Sequence, residues 1–329
     1  TGATGFAGSF LVEHYLRAGY VVHGTYREKP DRFLDSWDGA RLHQIDLRNR
    51  EATADLVAVI QPEIVHHLAA QSSVSVSRRN PLETMIGNIE AQYSVLEGVR
   101  RHTPHARVLV VGSCDEYGSV ATADNPVDEA QPLRPETPYA LSKVNQDLMG
   151  YQYAIEHGLQ VVRVRPFLQI GPRRPDRFVA GTFARQVAEI VLGRREPVID
   201  VGRLDMVRDF TDVRDAVAAY ALALERGEPG EVYNIASGQG RPLRDLLDCM
   251  LDLSGIAAEI RPDPKRVRPG EASVLIGDAR RLREQTGWRP RIEFEQSISD
   301  TLAYWLDRLE NQPMTDKESA RWPQRSSRA

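Results

Sequence analysis

Short apolar runs alternate along the first half of the chain with stretches whose apolar residues follow a helical period. The runs at 21–24, 41–46, 64–68, 108–112 and 161–164 read as strands. Between them, 8–18, 50–59, 82–100 and 138–157 read as helices. Val- and Ile-rich runs of this kind are buried on both faces. Their alternation with helices predicts an α/β fold on a doubly wound, Rossmann-type parallel sheet, with right-handed crossovers. After Arg165 the rhythm breaks. Residues 166–209 are richer in Arg, Pro and Gly, with one helical stretch at 183–192. Residues 213–224 are helical again and 232–236 are strand-like. The expected organisation is a first lobe at 1–165 that also receives about 210–236, and a smaller C-terminal α/β lobe from 166–209 and 237–310. A flexible polar tail follows at 311–329.

Composition narrows the function classes. The chain has 329 residues, about two domains' worth at roughly 150 per domain. Its net charge of −4 argues against a nucleic-acid binder held by bulk charge. No apolar run is long enough to span a membrane, so no membrane partner is expected. The two cysteines, Cys114 and Cys249, make neither a disulfide framework nor a Cys-rich zinc site. No metal is expected, and the compartment implied is a reducing cytoplasm.

The chemistry starts at TGATGFAG. Gly2, Gly5 and Gly8 have the spacing of a dinucleotide loop, with Thr4 and Phe6 between them. The first Gly permits a tight turn, the second lets the backbone approach a pyrophosphate, and the third allows close helix packing. The plainer alternative is a Gly-rich turn opening an ordinary helix. Such a loop normally follows a buried strand. That first strand is expected to be absent from the sequence shown, leaving a gap at the centre of the sheet. The next strand ends Gly24-Thr25-Tyr26-Arg27 with no carboxylate. Arg27 could pair with a 2′-phosphate, which points to NADP, with NAD as the alternative. Asp46 and Leu47 could meet the adenine edge, or Asp46 could cap the helix that follows.

Tyr139 and Lys143 lie four apart, on one helix face. With 11 Tyr and four Lys, random placement gives roughly 0.13 such pairs. Thr137-Pro138 caps the helix, so Tyr139 sits in its first turn. The dipole and the ammonium are both expected to push the phenol toward neutrality, where it can exchange protons with a sugar oxygen. Ser113 follows an apolar strand, so its hydroxyl falls at the carboxyl end of the sheet, where ligands bind. A surface contact and a turn-forming Ser are the alternatives.

TGATGFAG, HLAAQSSV (67–74), GSCDEYG (112–118) and YALSK (139–143) together resemble the extended short-chain dehydrogenase/reductase family of NAD-dependent epimerases and dehydratases. The resemblance implies a dinucleotide-binding first lobe, a nucleotide-sugar-binding second lobe and a catalytic Ser113–Tyr139–Lys143 group. It adds Leu68, Ala69 and Ala70 to the cofactor site and Gln71 to the substrate site. RPFLQIGPR (165–173), VGRLDMVRDFTDVRD (201–215), RVRPGE (266–271) and LIGDARRLREQTGWRP (275–290) look like the GDP-mannose branch, which contains 4,6-dehydratases and 4-keto-6-deoxy-mannose reductases. By that resemblance Arg208 and Arg268 hold the diphosphate, Glu271 faces the nucleoside end, and Arg185 is a weaker phosphate candidate. Solvated arginines are the alternative in so Arg-rich a chain.

A dehydratase needs extra acid/base groups, and the resemblance implies for it, commonly, a Thr followed by a polar or acidic pair ending in Glu two residues before the loop Tyr. Here that position is Asp115, and Ser113 replaces the usual Thr, which looks more like the reductase pattern. The reductase pattern has Asn-His after Arg-Pro-Phe, whereas this chain has Leu168 and Gln169. The resemblance thus implies NAD(P)H-dependent reduction at C4 of a GDP-4-keto-6-deoxy-hexose to GDP-6-deoxy-mannose (GDP-rhamnose). Tyr139 would donate the proton, Lys143 would lower the Tyr139 pKa and hold the nicotinamide ribose, and Ser113 would orient the keto oxygen. A GDP-mannose 4,6-dehydratase, in which Asp115 does acid/base work, and a nucleotide-sugar 4-epimerase are the alternatives within the family. A non-catalytic sensor is the alternative outside it. The resemblance also implies a homodimer through the helices at roughly 82–100 and 138–157. Packing of Leu96, Val99, Leu148 and Tyr151 against the chain's own sheet would explain those apolar residues equally well.

Overall fold

A computed structural model describes residues 1–28, 37–266 and 272–311. In chain order its first elements are α1 (Phe6–Arg17), β1 (Val22–Tyr26), β2 (Ala40–Gln44), α2 (Arg50–Ile60), β3 (Ile64–His67), α3 (Val74–Arg79), α4 (Pro81–His102), β4 (Arg107–Val111), α5 (Pro138–His157) and β5 (Gln160–Pro166). Then come β6 (Leu168–Ile170), α6 (Val179–Val191), β7 (Val198–Val201), β8 (Val207–Asp212), α7 (Val213–Arg226), β9 (Val232–Ile235), β10 (Gly240–Pro242), α8 (Leu243–Ser254), β11 (Glu259–Pro262), β12 (Val274–Leu275), α9 (Arg280–Thr286) and α10 (Phe294–Glu310). The expected alternation is present. The short α3, capped by Ser73, was not expected.

Of the described residues, 1–169, 208–240 and 272–291 form one compact unit, and 170–207, 241–266 and 292–311 form another. In the first unit, four parallel strands run in the order β3-β4-β5-β9, with Val108 opposite Val65 and Val161. A second parallel pair, β1-β2, lies beside residues 1–3. There Ala3 donates its N–H to Thr25 O at 3.0 Å, and the Thr1 amino group donates to His66 O at 2.6 Å.

The two-residue period of a strand divides the core. Leu109 clusters with Phe10, Leu11, Val217 and Tyr220 of α1 and α7. Its neighbours Val108 and Val110 cluster with Leu96, Val99 and Tyr153 of α4 and α5. Each such Val or Leu contributes about 1.5–3 kcal/mol by leaving water. The sheet is thus covered on both faces, as a doubly wound fold requires.

Residues 272–291, which the sequence rhythm assigns to the C-terminal lobe, pack in the first unit. Leu282 and Trp288 join the core beside Tyr233, and Trp288 Nε1 donates to Asp215 O at 3.0 Å. The sequence rhythm alone does not reveal that an indole returns to an earlier helix. In the second unit β7 pairs in parallel with β11, while α6, α8 and α10 bury Val187, Leu246, Met250 and Leu302. Among the described residues, no helix is long and apolar enough to cross a membrane.

Candidate active site

The glycine loop is a steric object. Gly2 has φ +67°, and a Cβ there would stand 2.9 Å from Ala69 N. A Cβ on Gly8 would stand 2.1 Å from Gly2 O, a contact no side chain tolerates. These two glycines let the loop lie against the segment after β3 and let α1 pack down onto the loop. Gly5 is the N-cap of α1, with no side-chain cap and no acidic residue in the first turn. A helix N-terminus with neither feature suits a dinucleotide pyrophosphate. Phe6 opens the helix edge-on to Phe10, and Thr4 is half-buried in the turn. Leu68, Ala69 and Ala70 line the adjoining segment half-buried, and Ala69 N donates to Thr1 Oγ1 at 3.2 Å.

Arg27 and Asp46 come together at the carboxyl ends of β1 and β2. Arg27 is exposed and pairs with Glu28 at 3.0 Å. Asp46 does not cap α2; Asn49 does, accepting from Ala52 N. Instead Asp46 is gripped by Arg48 at 2.6 Å. Arg48's hydrogen bond holds its carboxyl below the usual range, and Arg27 adds to the effect. Leu47 is buried against Ala91 and Val95.

Ser113, Tyr139 and Lys143 converge where β4 ends and α5 begins. Thr137 Oγ1 accepts from Ala140 N at 3.0 Å, and Pro138 takes the first helical position, so both functional side chains leave the first two turns. All three are buried. The Ser113 side chain reaches the Tyr139 hydroxyl, and Lys143 Nζ donates to Val111 O at 2.9 Å. The expected lowering of the Tyr139 pKa is not what this arrangement produces. Burial raises it strongly and Asp115 adds to the rise, while the Ser113 hydrogen bond opposes it. A phenolate loses solvation here, and the ammonium is turned to a backbone carbonyl. Burial lowers Lys143 to about 8, against the pull of Glu116.

Sequence reasoning missed the charged set behind this group. Glu116 Oε1 accepts the Ser113 N–H at 2.7 Å, and Asp115 N donates to Ser113 Oγ at 3.2 Å. Together these make a capping box for the one-turn 3-10 helix Cys114–Tyr117. Gly112 leaves room for it, since a Cβ there would lie 2.3 Å from Glu116 Oε1. Arg165 on β5 meets Glu116 at 3.1 Å and Asp147 of α5 at 2.5 Å. Tyr117 OH donates to Asn234 Oδ1 at 2.7 Å. A signal was present: arginines at 163 and 165, inside a strand buried on both faces, require carboxylate partners.

The remaining candidates divide. Asp115 is half-buried beside Tyr139 and Cys114. Arg208, on β8, is close enough to Cys114 for its charge to oppose the rise that burial imposes on that thiol. Leu168 opens β6 half-buried, and Gln169 Nε2 donates to Tyr220 OH. Two candidates have partners within the fold. Gln71 spends its amide on Ser73 and Thr84 Oγ1, shaping the loop into α3. Arg185 is taken by Asp176 at 2.5 Å and Glu189 at 2.7 Å, so both edges of its guanidinium already face carboxylates. Arg268 and Glu271 lie outside the described residues.

Residues 1–301 match the family model described as GDP-mannose 4,6 dehydratase. The GDP-6-deoxy-D-mannose reductase of Pseudomonas aeruginosa is 34% identical over 94% of this chain and 97% of its own length. GDP-mannose 4,6 dehydratase 2 of Arabidopsis thaliana is 30% identical over 91% of this chain and 83% of its own. The structure of RMD from Pseudomonas aeruginosa complexed with NADPH superposes with a TM-score of 0.82 at 33% identity, covering 94% of this chain and 98% of that one.

Proposed function

The chain belongs to the GDP-mannose 4,6 dehydratase family, and we propose that it is the reductase of that family. It would use NAD(P)H to reduce the C4 keto group of a GDP-4-keto-6-deoxy-hexose, giving GDP-6-deoxy-mannose. The observation that carries this reading is the division of labour in the Ser113 loop. Glu116 is turned inward to the Ser113 amide and Arg165. Of the loop's two acidic residues, that leaves Asp115 as the one beside Tyr139, whereas dehydration needs acid/base groups for both C5 and C6.

When bound, the nicotinamide supplies a hydride to C4. The chain's own residues do the rest. Burial keeps Tyr139 protonated at neutral pH, the state required of a proton donor to the C4 alkoxide. The Ser113 hydroxyl orients the keto oxygen. Lys143, with its pKa near 8, supplies an ammonium for the ribose hydroxyls below that pH. Arg208 receives the diphosphate, which a guanidinium fork can bind through two oxygens. Arg27 takes the 2′-phosphate, which favours NADP over NAD.

A dehydratase is the second reading, favoured by Asp115 beside Tyr139 and by the family model itself. The enzyme is offered GDP-4-keto-6-deoxy-mannose with NADPH or NADH, and GDP-mannose with NADP. Oxidation of the reduced cofactor with the keto sugar supports the reductase. Consumption of GDP-mannose alone, with no net cofactor change, supports the dehydratase.

The protein would act as a cytoplasmic homodimer through α4 and α5. Leu82 and Ile86 of α4, and Leu141, Leu148, Tyr151 and Ile155 of α5, are exposed. Residues 141, 148 and 155 repeat every seven positions, the spacing of a helix–helix seam. Leu96 and Val99, by contrast, are buried in the core beside β4.

A further inference from the structure

We propose that Arg165 is a positioning residue that holds the Ser113 loop in register with the helix carrying Tyr139 and Lys143. The inference rests on the Ser113–Tyr139–Lys143 reading and adds a residue to it. The connection is a short relay of direct contacts. The Ser113 N–H reaches Glu116 Oε1 at 2.7 Å, and Glu116 Oε2 accepts from Arg165 Nε at 3.1 Å. Arg165 Nη2 donates to Asp147 Oδ2 at 2.5 Å, and Nη1 donates to Tyr117 OH at 3.2 Å. Asp147 lies one helical turn beyond Lys143 and two beyond Tyr139, on the same face of α5. One planar cation thus binds two segments that each carry part of the catalytic group. Its fork addresses the two carboxylates in fixed directions, which a lysine ammonium cannot do.

Arg163 supplies the control. It meets the other oxygen of Asp147 at 3.1 Å and Gly230 O at 2.7 Å, and none of its described contacts reaches the Ser113 loop. Arg163 and Arg165 therefore share a buried ion cluster and differ in whether they touch the loop.

Three variants test the proposal: Arg165→Lys, Glu116→Gln and Arg163→Lys. Each is measured for kcat, for KM toward NADPH and the keto sugar, and for hydrogen exchange of the 112–118 amides. Arg165→Lys and Glu116→Gln are expected to lower kcat by about 10–100-fold, the scale of a small misplacement of reacting groups. KM for NADPH should stay within about twofold, because a lost transition-state contact lowers kcat rather than cofactor binding. Both should exchange the loop amides faster than wild type. Arg163→Lys is expected to lower Tm yet keep wild-type kcat and loop exchange. The proposal is overturned if Arg163→Lys loses as much kcat as Arg165→Lys, or if Arg165→Lys changes neither kcat nor loop exchange. If the wild type turns over neither substrate, the reductase reading fails. The exchange comparison alone then decides whether Arg165 holds the loop.

Discussion

The two halves of the site are built by different physics. The glycine loop is made by leaving side chains out: Gly2 and Gly8 allow backbone contacts that any Cβ would break. The Ser113–Tyr139–Lys143 group is made by burying polar side chains and balancing them with Glu116, Arg165 and Asp147. A steric site fails abruptly when an atom is added. A buried polar site fails by degrees and responds to pH.

Tyr139→Phe should give the largest effect, a kcat loss of about 10²–10⁴-fold with unchanged NADPH affinity, since general-acid catalysis contributes on that scale. Steady-state kinetics with a cofactor titration checks both halves of that statement. Gly8→Ala comes next and should act on the other half of the site. Its Cβ meets backbone 2.1 Å away, so the loop must shift. Overpacking of this kind costs about 1–3 kcal/mol, readable in denaturant unfolding, with KM for NADPH raised. Removing a methyl group from the polar half should do nothing comparable.

The polar half carries a pH response through Lys143. Lys143 is lowered to about 8 by burial, so its ammonium is lost as pH rises through that value. The pH profile of kcat/KM should carry a basic limb near 8. Stability should move the other way. Between about 8 and the ordinary lysine value of ~10.4, the unfolded chain holds more protons at Lys143, so the folded state gains as pH rises. A profile flat to pH 10 would exclude a charged Lys143 from the reaction. Arg27→Ala should give the smallest effect. Arg27 is exposed, so loss of its pairing should weaken NADPH relative to NADH by about three- to tenfold, and less at high salt. Competitive binding of the two cofactors at two ionic strengths checks it.

Legibility followed the range of the interactions. The helix 138–157 was readable to the residue because its signals are local: Thr137 and Pro138 at the start, and Gly158 in the left-handed conformation at the end. The glycine loop was readable for the same reason. The Glu116–Arg165–Asp147 set joins residues from three elements far apart in the chain, and spacing says nothing about such a meeting. The sign of the Tyr139 shift was missed because a sequence shows a nearby lysine but not the depth of burial that outweighs it. For Arg185, a weaker phosphate candidate by resemblance, the sequence did not reveal the ion pair to Asp176, nine residues earlier.

The central claim is a net hydride transfer to C4, and an isotope label reads it directly. The enzyme is given GDP-4-keto-6-deoxy-mannose and NADPH carrying deuterium at the transferable nicotinamide position, and the sugar product is examined by NMR. The account predicts one deuterium at C4 for each cofactor oxidised. A product without deuterium at C4, or turnover of the sugar with no net cofactor oxidation, would contradict it.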